Sequence, residues 1–253
     1  MERDSYAAGT PSWVDIGSTD LDVTHAFYTG LFGWGRQEAG PAEETGGYGF
    51  YTKGGKLVAG YGPAQAPGVW WSTYVSVDDA DAVAAKVELN GGTTIMPPMQ
   101  VMEAGTMAVF TDPTGAAFSI WQPGEHKGAQ VVNEAGAFSW SELMTRDVTA
   151  AVAFYTAVFG WTEQNGPEVP YKEFAVDGTV IAGGQAIPDD MPAEVPAHWN
   201  VYFGVNDVDA SAARVSELGG TVRVPPFDIP DVGRIAVVGG PHHEGFSLFG
   251  FPA

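Results

Sequence analysis

The chain has 253 residues, enough for two domains of ordinary size that each bury a core. It carries 31 Asp and Glu against 11 Lys and Arg, a formal net charge of −20; such a surface repels phosphate backbones, which argues against a nucleic-acid partner, and concentrates cationic small molecules. The absence of cysteine excludes disulfides, zinc ribbons and thiol nucleophiles, and no run of eighteen apolar residues is present to span a membrane.

Taken in order, residues 1–11 read as a loose lead-in without the basic start and apolar run of a secretion signal, so the expected location is cytoplasmic. Ser12–Ser18 reads as a half-buried strand, Asp20 as the cap of a helix, and Gly33 as its left-handed end. Tyr48–Lys53 and Leu57–Tyr61 form a predicted hairpin around Gly54–Gly55, and 62–67 is a Gly/Pro connector. A strand at Trp70–Val77, a helix at Ala80–Leu89 capped by Asp78–Asp79, and short strands around Thr93–Met96, Met99–Met102, Thr106–Thr111 and Ala116–Trp121 complete the first half.

The second half repeats the first. Trp140–Trp161 (WSELMTRDVTAAVAFYTAVFGW) matches Trp13–Trp34 (WVDIGSTDLDVTHAFYTGLFGW) at an offset of 127, and downstream pairs such as Pro97–Pro98 with Pro225–Pro226 follow at 128. Strands are predicted at Phe138–Thr145, Lys172–Val176, Val180–Gln185, His198–Val205, Thr221–Val224, Arg234–Val238 and Phe246–Gly250, with helices ending at Gly160 and spanning Asp207–Leu218. The phenylalanines and tyrosines of the first helix in each half recur at helical spacing and read as core. The organisation is α+β, four βαβββ units in two tandem domains at 1–124 and 137–253, joined by a Pro/Gly-rich linker at 125–136.

FYTGLFGW and FYTAVFGW after the first strands, VSVDDADA and FGVNDVDA after the mid-domain strands, LNGGT and ELGGT after the second helices, and DPTGAAFSIWQP together resemble the vicinal oxygen chelate superfamily of glyoxalases, bleomycin-resistance proteins and extradiol dioxygenases. The two-copy form is similar to tandem actinobacterial members, several of them in antibiotic pathways. The resemblance implies that each pair of units curls into an incomplete barrel around a ligand cleft. It also implies four metal-ligand places per half: Trp13, about Gly60, Ser72 and Ser119, then Trp140, about Gly183, Asn200 and Ser247. None of these is His, Glu, Asp or Cys, so neither a metal nor another cofactor is expected.

Strand alternation then assigns each cleft a face. In the first half it carries Trp13, Asp15, Trp70, Ser72, Tyr74, Ser119 and Trp121. In the second it carries Trp140, Glu142, His198, Asn200, Tyr202, Ser247 and Phe249. Flat aromatics with one acid and a few neutral polar groups suit a sizeable planar ligand, with the acid available to an ammonium group. The expected function is metal-independent binding of an aromatic, polyketide-like or cationic small molecule, for antibiotic sequestration or as an accessory of antibiotic biosynthesis. The alternative is a biosynthetic enzyme: an acid–base catalyst using Glu142 and His198, or a metal enzyme with displaced ligands. The expected partners are that ligand and a pathway enzyme, with no nucleic acid and no membrane. A monomer is expected, since two fused copies reproduce what single-domain relatives reach by dimerising. His25, His126 and the turn His242–His243–Glu244 read as solvent-facing. Met96, Met99, Met102 and Met107 are matched in the second half by Val224, Phe227, Pro230 and Ile235, which suggests that the halves no longer bind the same thing or that only one still binds.

Overall fold

The structure, a computed structural model, describes residues 1–166 and 170–252. The first half begins with β1 (Pro11–Ser18), α1 (Leu21–Phe32), β2 (Gly35–Glu38), the short α2 (Ala42–Thr45), β3 (Gly49–Lys53) and β4 (Lys56–Pro63). It continues with β5 (Trp70–Ser76), α3 (Ala80–Leu89), β6 (Thr93–Val101), β7 (Gly105–Thr111) and β8 (Ala117–Pro123). The second half comprises β9 (Phe138–Thr145), α4 (Val148–Phe159), β10 (Thr162–Asn165), β11 (Lys172–Val176) and β12 (Thr179–Ala186). After these come β13 (His198–Val205), α5 (Val208–Glu217), β14 (Thr221–Ile229), β15 (Gly233–Gly239) and β16 (Gly245–Gly250). Each half is one open eight-stranded sheet, ordered β2-β3-β4-β1-β5-β8-β7-β6 and β10-β11-β12-β9-β13-β16-β15-β14. The α+β class and the paired βαβββ units are as the sequence predicts.

The helix signals act as read. Asp20, Asp79, Asp147 and Asp207 each accept a first-turn backbone N–H, and Gly33 and Gly160 end α1 and α4 at φ of 70° and 73°. Two details differ from the expectation. β2 and β10 are fully exposed edge strands, so they carry no apolar alternation for a sequence pattern to detect. β6 is one bulged strand where the sequence predicts two short ones; its register slips on either side of Met96, and Pro97–Pro98 are tolerated because β6 is an edge.

The sheets pack back to back through their helix-bearing faces, and the core is shared. One apolar cluster joins Val14, Phe27, Tyr28, Trp34 and Trp71 of the first half to Val201, Phe203 and Phe246 of the second. The other joins Val87, Phe110 and Phe118 to Phe154, Tyr155, Trp161 and Trp199. Three contacts recur reciprocally. Helix α1 packs on α5 and α3 on α4. Trp34 Nε1 donates to Gly136 O (2.8 Å) and Trp161 Nε1 to Gly9 O (2.7 Å), so each half pins the glycine that precedes the other's first strand. The buried Tyr28 hydroxyl accepts from Trp71 Nε1 (2.9 Å) and donates to Glu244 (2.8 Å), as Tyr155 accepts from Trp199 Nε1 (2.9 Å) and donates to Asp112 (3.0 Å).

Residues 1–11 are therefore a fixed belt, in correction of the loose lead-in. Arg3 N bonds Gln130 O (3.0 Å), Tyr6 Oη bonds Ala129 O (2.6 Å) and Gly9 N bonds Ser76 O (2.8 Å), because the extended arm finds backbone partners along the linker and β5. The solvent-facing expectation for three residues is corrected too. His25 is 8% exposed and bonds Tyr51 Oη through Nδ1 (2.9 Å). His126 is packed among aromatic rings, and Glu244 is 2% exposed against α1. His243, at φ 67°, does face solvent.

Glu244 does the work of Asp112 from another position. Sequence equivalence pairs Asp112 with Gly240, and a Cβ built on Gly240 would lie 2.0 Å from Glu244 Oε1. The acid has moved four residues along the turn, and its carboxylate still meets the tyrosine of the opposing helix. Glu244→Ala should cost about 2–3 kcal/mol in urea denaturation, the desolvation of an orphaned buried tyrosine hydroxyl and N–H pair. Gly240→Asp alone should also destabilise, by collision. The double variant should recover most of the loss, and additive costs would refute the equivalence.

Candidate functional site: two aromatic clefts around a buried carboxyl

Alternation sends the side chains of β1 and β9 that do not face the helices into the two concave faces. The antiparallel β1–β5 register sets Trp13 opposite Tyr74 and Asp15 opposite Ser72; the parallel β1–β4 register sets Asp15 beside Gly60. In the second half Trp140 lies opposite Tyr202, and Glu142 lies between Gly183 and Asn200. The first-strand member of the row formed with Gly60 and Ser72 is thus Asp15, and its counterpart is Glu142, two residues beyond the Trp13 and Trp140 assigned by counting.

Both carboxyls are held in the same way. Tyr74 Oη (2.9 Å) and Tyr48 Oη (3.0 Å) donate to Asp15 Oδ2, and Trp13 Nε1 donates to Tyr48 Oη (3.0 Å). Tyr202 Oη donates to Glu142 Oε2 (2.7 Å), and Trp140 Nε1 donates to Tyr171 Oη (3.0 Å). Ser247 accepts from Asn200 Nδ2 (2.8 Å). The first cleft therefore contains a hydrogen-bonded chain of tyrosine, carboxyl, tyrosine and tryptophan, and the second holds the same residue types as a tyrosine–carboxyl and a tryptophan–tyrosine pair.

Burial dominates the electrostatics. It raises the Asp15 carboxyl to about 6 against the opposing hydrogen bonds of Tyr74, Tyr48 and Ser72, and it raises Glu142 against those of Tyr202, Gln185 and Tyr171. The tyrosine hydroxyls are driven well above their ordinary value by burial and by the neighbouring acid, so they remain donors. Asp15 can thus present either a proton or a negative charge near neutrality.

The other expected residues are distributed unevenly. Ser72 and Phe249 are half-buried, Trp121 is buried, and Trp70 stands 39% exposed at the end of β5. His198 shares the face of Asn200 and Tyr202 but is exposed at the strand's outer end, its Nδ1 bonded to Pro196 O (2.9 Å). Among the described residues no hydrogen bond joins it to Glu142, which is instead bonded by Tyr202. Sequence reasoning missed Tyr48, Tyr171 and Gln185. Its signal was available for the tyrosines: each precedes the third strand of its half, but at an offset of 123 that an ungapped comparison passes over.

The metal implied by the fold does not suit these residues. Each cleft offers one carboxylate already engaged by tyrosines, and among the described residues no three of His, Cys, Asp and Glu converge. The expected ligand places at Gly60 and Gly183 are physically filled. A Cβ there would lie 2.0 Å from Tyr48 Oη or 1.8 Å from Tyr171 Oη, so a ligating side chain and the tyrosine exclude each other.

The raised Asp15 carboxyl makes a pH prediction. The folded acid keeps its proton to about pH 6, whereas the unfolded one loses it near 3.8, so the native state binds more protons between these values and stability falls as pH rises through them. Above that window Asp15→Asn should be more stable than the parent by up to about 3 kcal/mol. At pH 3.5 the advantage should vanish. Chemical denaturation at pH 3.5 and 8 measures both, and a difference independent of pH would refute the shift.

The chain matches the model of the Glyoxalase/Bleomycin resistance protein/Dioxygenase superfamily twice, over residues 10–120 and 137–247. It is 43% identical over 256 residues to the "Putative glyoxylase CFP32" of Mycobacterium tuberculosis (strain CDC 1551 / Oshkosh), covering 98% of this chain and 97% of the relative. It is 39% identical over 273 residues to the "Anthracycline biosynthesis protein DnrV" of Streptomyces peucetius, with 98% and 97% covered. The Mn(II)-bound glyoxalase from Novosphingobium aromaticivorans shares the fold at a TM-score of 0.68 and 17% identity, over 96% of this chain and 82% of that one. The 2,3-dioxygenase LapB from Pseudomonas sp. KL28 does so at 0.66 and 15%, over 99% and 96%. Two full copies of the family pattern, each folded as its own eight-stranded sheet, place this chain in the glyoxalase/bleomycin resistance protein/dioxygenase superfamily.

Proposed function

We propose that the protein binds a planar, polyketide-like aromatic molecule carrying a positive charge, without a metal, as an accessory of antibiotic biosynthesis. The observation that carries this reading is a tryptophan–tyrosine pair and a tyrosine-bonded carboxyl in a concave sheet face whose remaining ligand places are glycine, serine and asparagine. Tryptophan offers a stacking surface, the neutral groups offer orientation, and the carboxyl offers a counter-charge to an ammonium group. The net charge of −20 would draw such a cation towards the protein. The accessory role agrees with the anthracycline biosynthesis proteins among the relatives.

Isothermal titration with daunorubicin, an anthracycline bearing an amino sugar, is the direct test. Micromolar binding is expected in buffer containing a chelator, weakened about tenfold by Trp140→Ala, as suits the loss of one stacked ring. Binding only after addition of Mn(II), Fe(II), Ni(II) or Zn(II) would overturn metal independence, and no binding under any condition would overturn the ligand class.

A second reading follows from burial of the Glu142 carboxyl, which favours its protonated form. Such an acid beside the Tyr202 and Tyr171 hydroxyls can protonate a ligand carbonyl while solvent water takes the α-proton to form the enol; on ketonisation solvent returns a proton to the α-carbon and the carboxylate regains its own. An enolisable polyketone incubated with the protein in D2O would then gain deuterium at its α-carbon by NMR. Glu142→Gln should abolish the exchange; exchange that survives the substitution would remove this reading.

A further inference from the structure

The two clefts share their architecture, but among the described residues a linker crosses the first and none crosses the second. The linker passes over the first cleft and lowers His126 into it. The imidazole stands edge-on to Trp13 with ring centres 4.5 Å apart and an interplanar angle of 82°; Phe50 lies at 5.5 Å and Trp121 at 5.6 Å. The His126 carbonyl accepts from Trp121 Nε1 (2.8 Å), so backbone and side chain both engage the cleft wall. The ring's Nε2 is buried with no hydrogen-bond partner. Burial also lowers the ring to about 4, so the imidazole stays neutral.

The linker is seated on both sides. Ala129 N bonds Ser12 O of β1 (2.8 Å), and a Cβ on Gly128 would approach that same oxygen to 2.5 Å. From outside, Arg3, Tyr6 and Met1 of the N-terminal belt bond Gln130, Ala129 and Val132, and Lys53 pairs with Glu134 (2.6 Å). A cavity of about 780 Å3 adjoins His126, bounded by the belt, the linker and the first-half residues Phe50, Leu57 and Met102. Trp13 is consequently 3% exposed.

The second cleft differs at each of these points. Trp140 is half-buried and has no aromatic partner among the described residues. Phe50, which faces Gly60, is replaced by Glu173, which faces Gly183. A stacking surface buried in one half is half-open in the other.

We propose that His126 is the built-in occupant of the first cleft, a neutral heteroaromatic ring in the place of an aromatic ligand, and that the chain binds one ligand molecule, in the second cleft. This rests on the ligand-binding reading above for the second cleft alone. Occupancy of the first cleft stands on the packing of His126.

Three measurements test it. Daunorubicin should titrate wild-type protein at one molecule per chain, and Trp140→Ala should weaken that one site about tenfold; two molecules per chain, or an affinity that the substitution leaves unchanged, would overturn the assignment. In His126→Ala the vacated space should take the side chain's own ring. Added 4-methylimidazole should then raise Tm by roughly 2–4 °C in a chain of this size, and leave the wild type unchanged. No rise in the variant would overturn the occupancy. Should His126→Ala fail to fold, NOEs between the His126 imidazole and Trp13 indole protons of the wild type decide the point: their presence supports the proposal and their absence overturns it. Failure of daunorubicin to bind wild-type protein removes the ligand reading, while the 4-methylimidazole and NOE measurements still decide the first cleft.

Discussion

Everything in this molecule follows from the burial of two helix-bearing sheet faces against each other. Each face carries more aromatic surface than its own half can cover, and the other half supplies the cover. Phe27, Tyr28 and Trp71 close over Phe203 and Phe246, and Phe154, Tyr155 and Trp199 over Phe110 and Phe118. A fully buried side chain of this kind contributes about 1.5–3 kcal/mol, so the shared clusters outweigh the handful of surface ion pairs many times over. The polar groups that must enter this interface do so as satisfied sets, tryptophan to tyrosine to carboxylate, once on each side of the pseudo-twofold axis.

Committing one face of every central strand to the partner half leaves the opposite face free, and the clefts form there. The same alternation that sends Val14 and Trp71 inward sends Asp15, Ser72 and Tyr74 into the concavity. The family resemblance sets its metal-ligand places in this concavity. Here the row of places contains one acid and a glycine whose missing Cβ makes room for a tyrosine hydroxyl. The glycine and the tyrosine are two parts of one substitution, since a larger residue at position 60 or 183 would expel Tyr48 or Tyr171. A buried acid with tyrosine donors is poised between charge and neutrality, a property suited to gripping a cation or lending a proton.

Duplication supplied two equal halves, and later change has been compensated where it touched the interface. The acid lost at Gly240 reappears at Glu244, because an orphaned Tyr28 hydroxyl inside the shared core would be expensive. The clefts carry no such constraint of equality. Phe50 of the first cleft has Glu173 as its counterpart in the second, and a linker histidine covers Trp13 where Trp140 is left half-open. Divergence has been held back at the seam and allowed at the mouths.

By itself the sequence determined the duplication, the four βαβββ units, the helix caps and the face of each strand that enters a cleft, because these depend on periodicity and on residues close in the chain. It also disclosed that Gly60, Ser72 and Ser119, with Gly183, Asn200 and Ser247, bring no charge to the expected metal-ligand places. The register that puts Asp15, rather than Trp13, in that row depends on pairing between strands distant in sequence. The roles of Tyr48 and Tyr171 depend on side chains reaching across a neighbouring strand, and those of His126 and Glu244 on turns that fold inward. None of these leaves a periodic trace. Only the tertiary structure decided them, since burial and hydrogen bonding between remote segments are properties of the packed chain and not of any stretch within it.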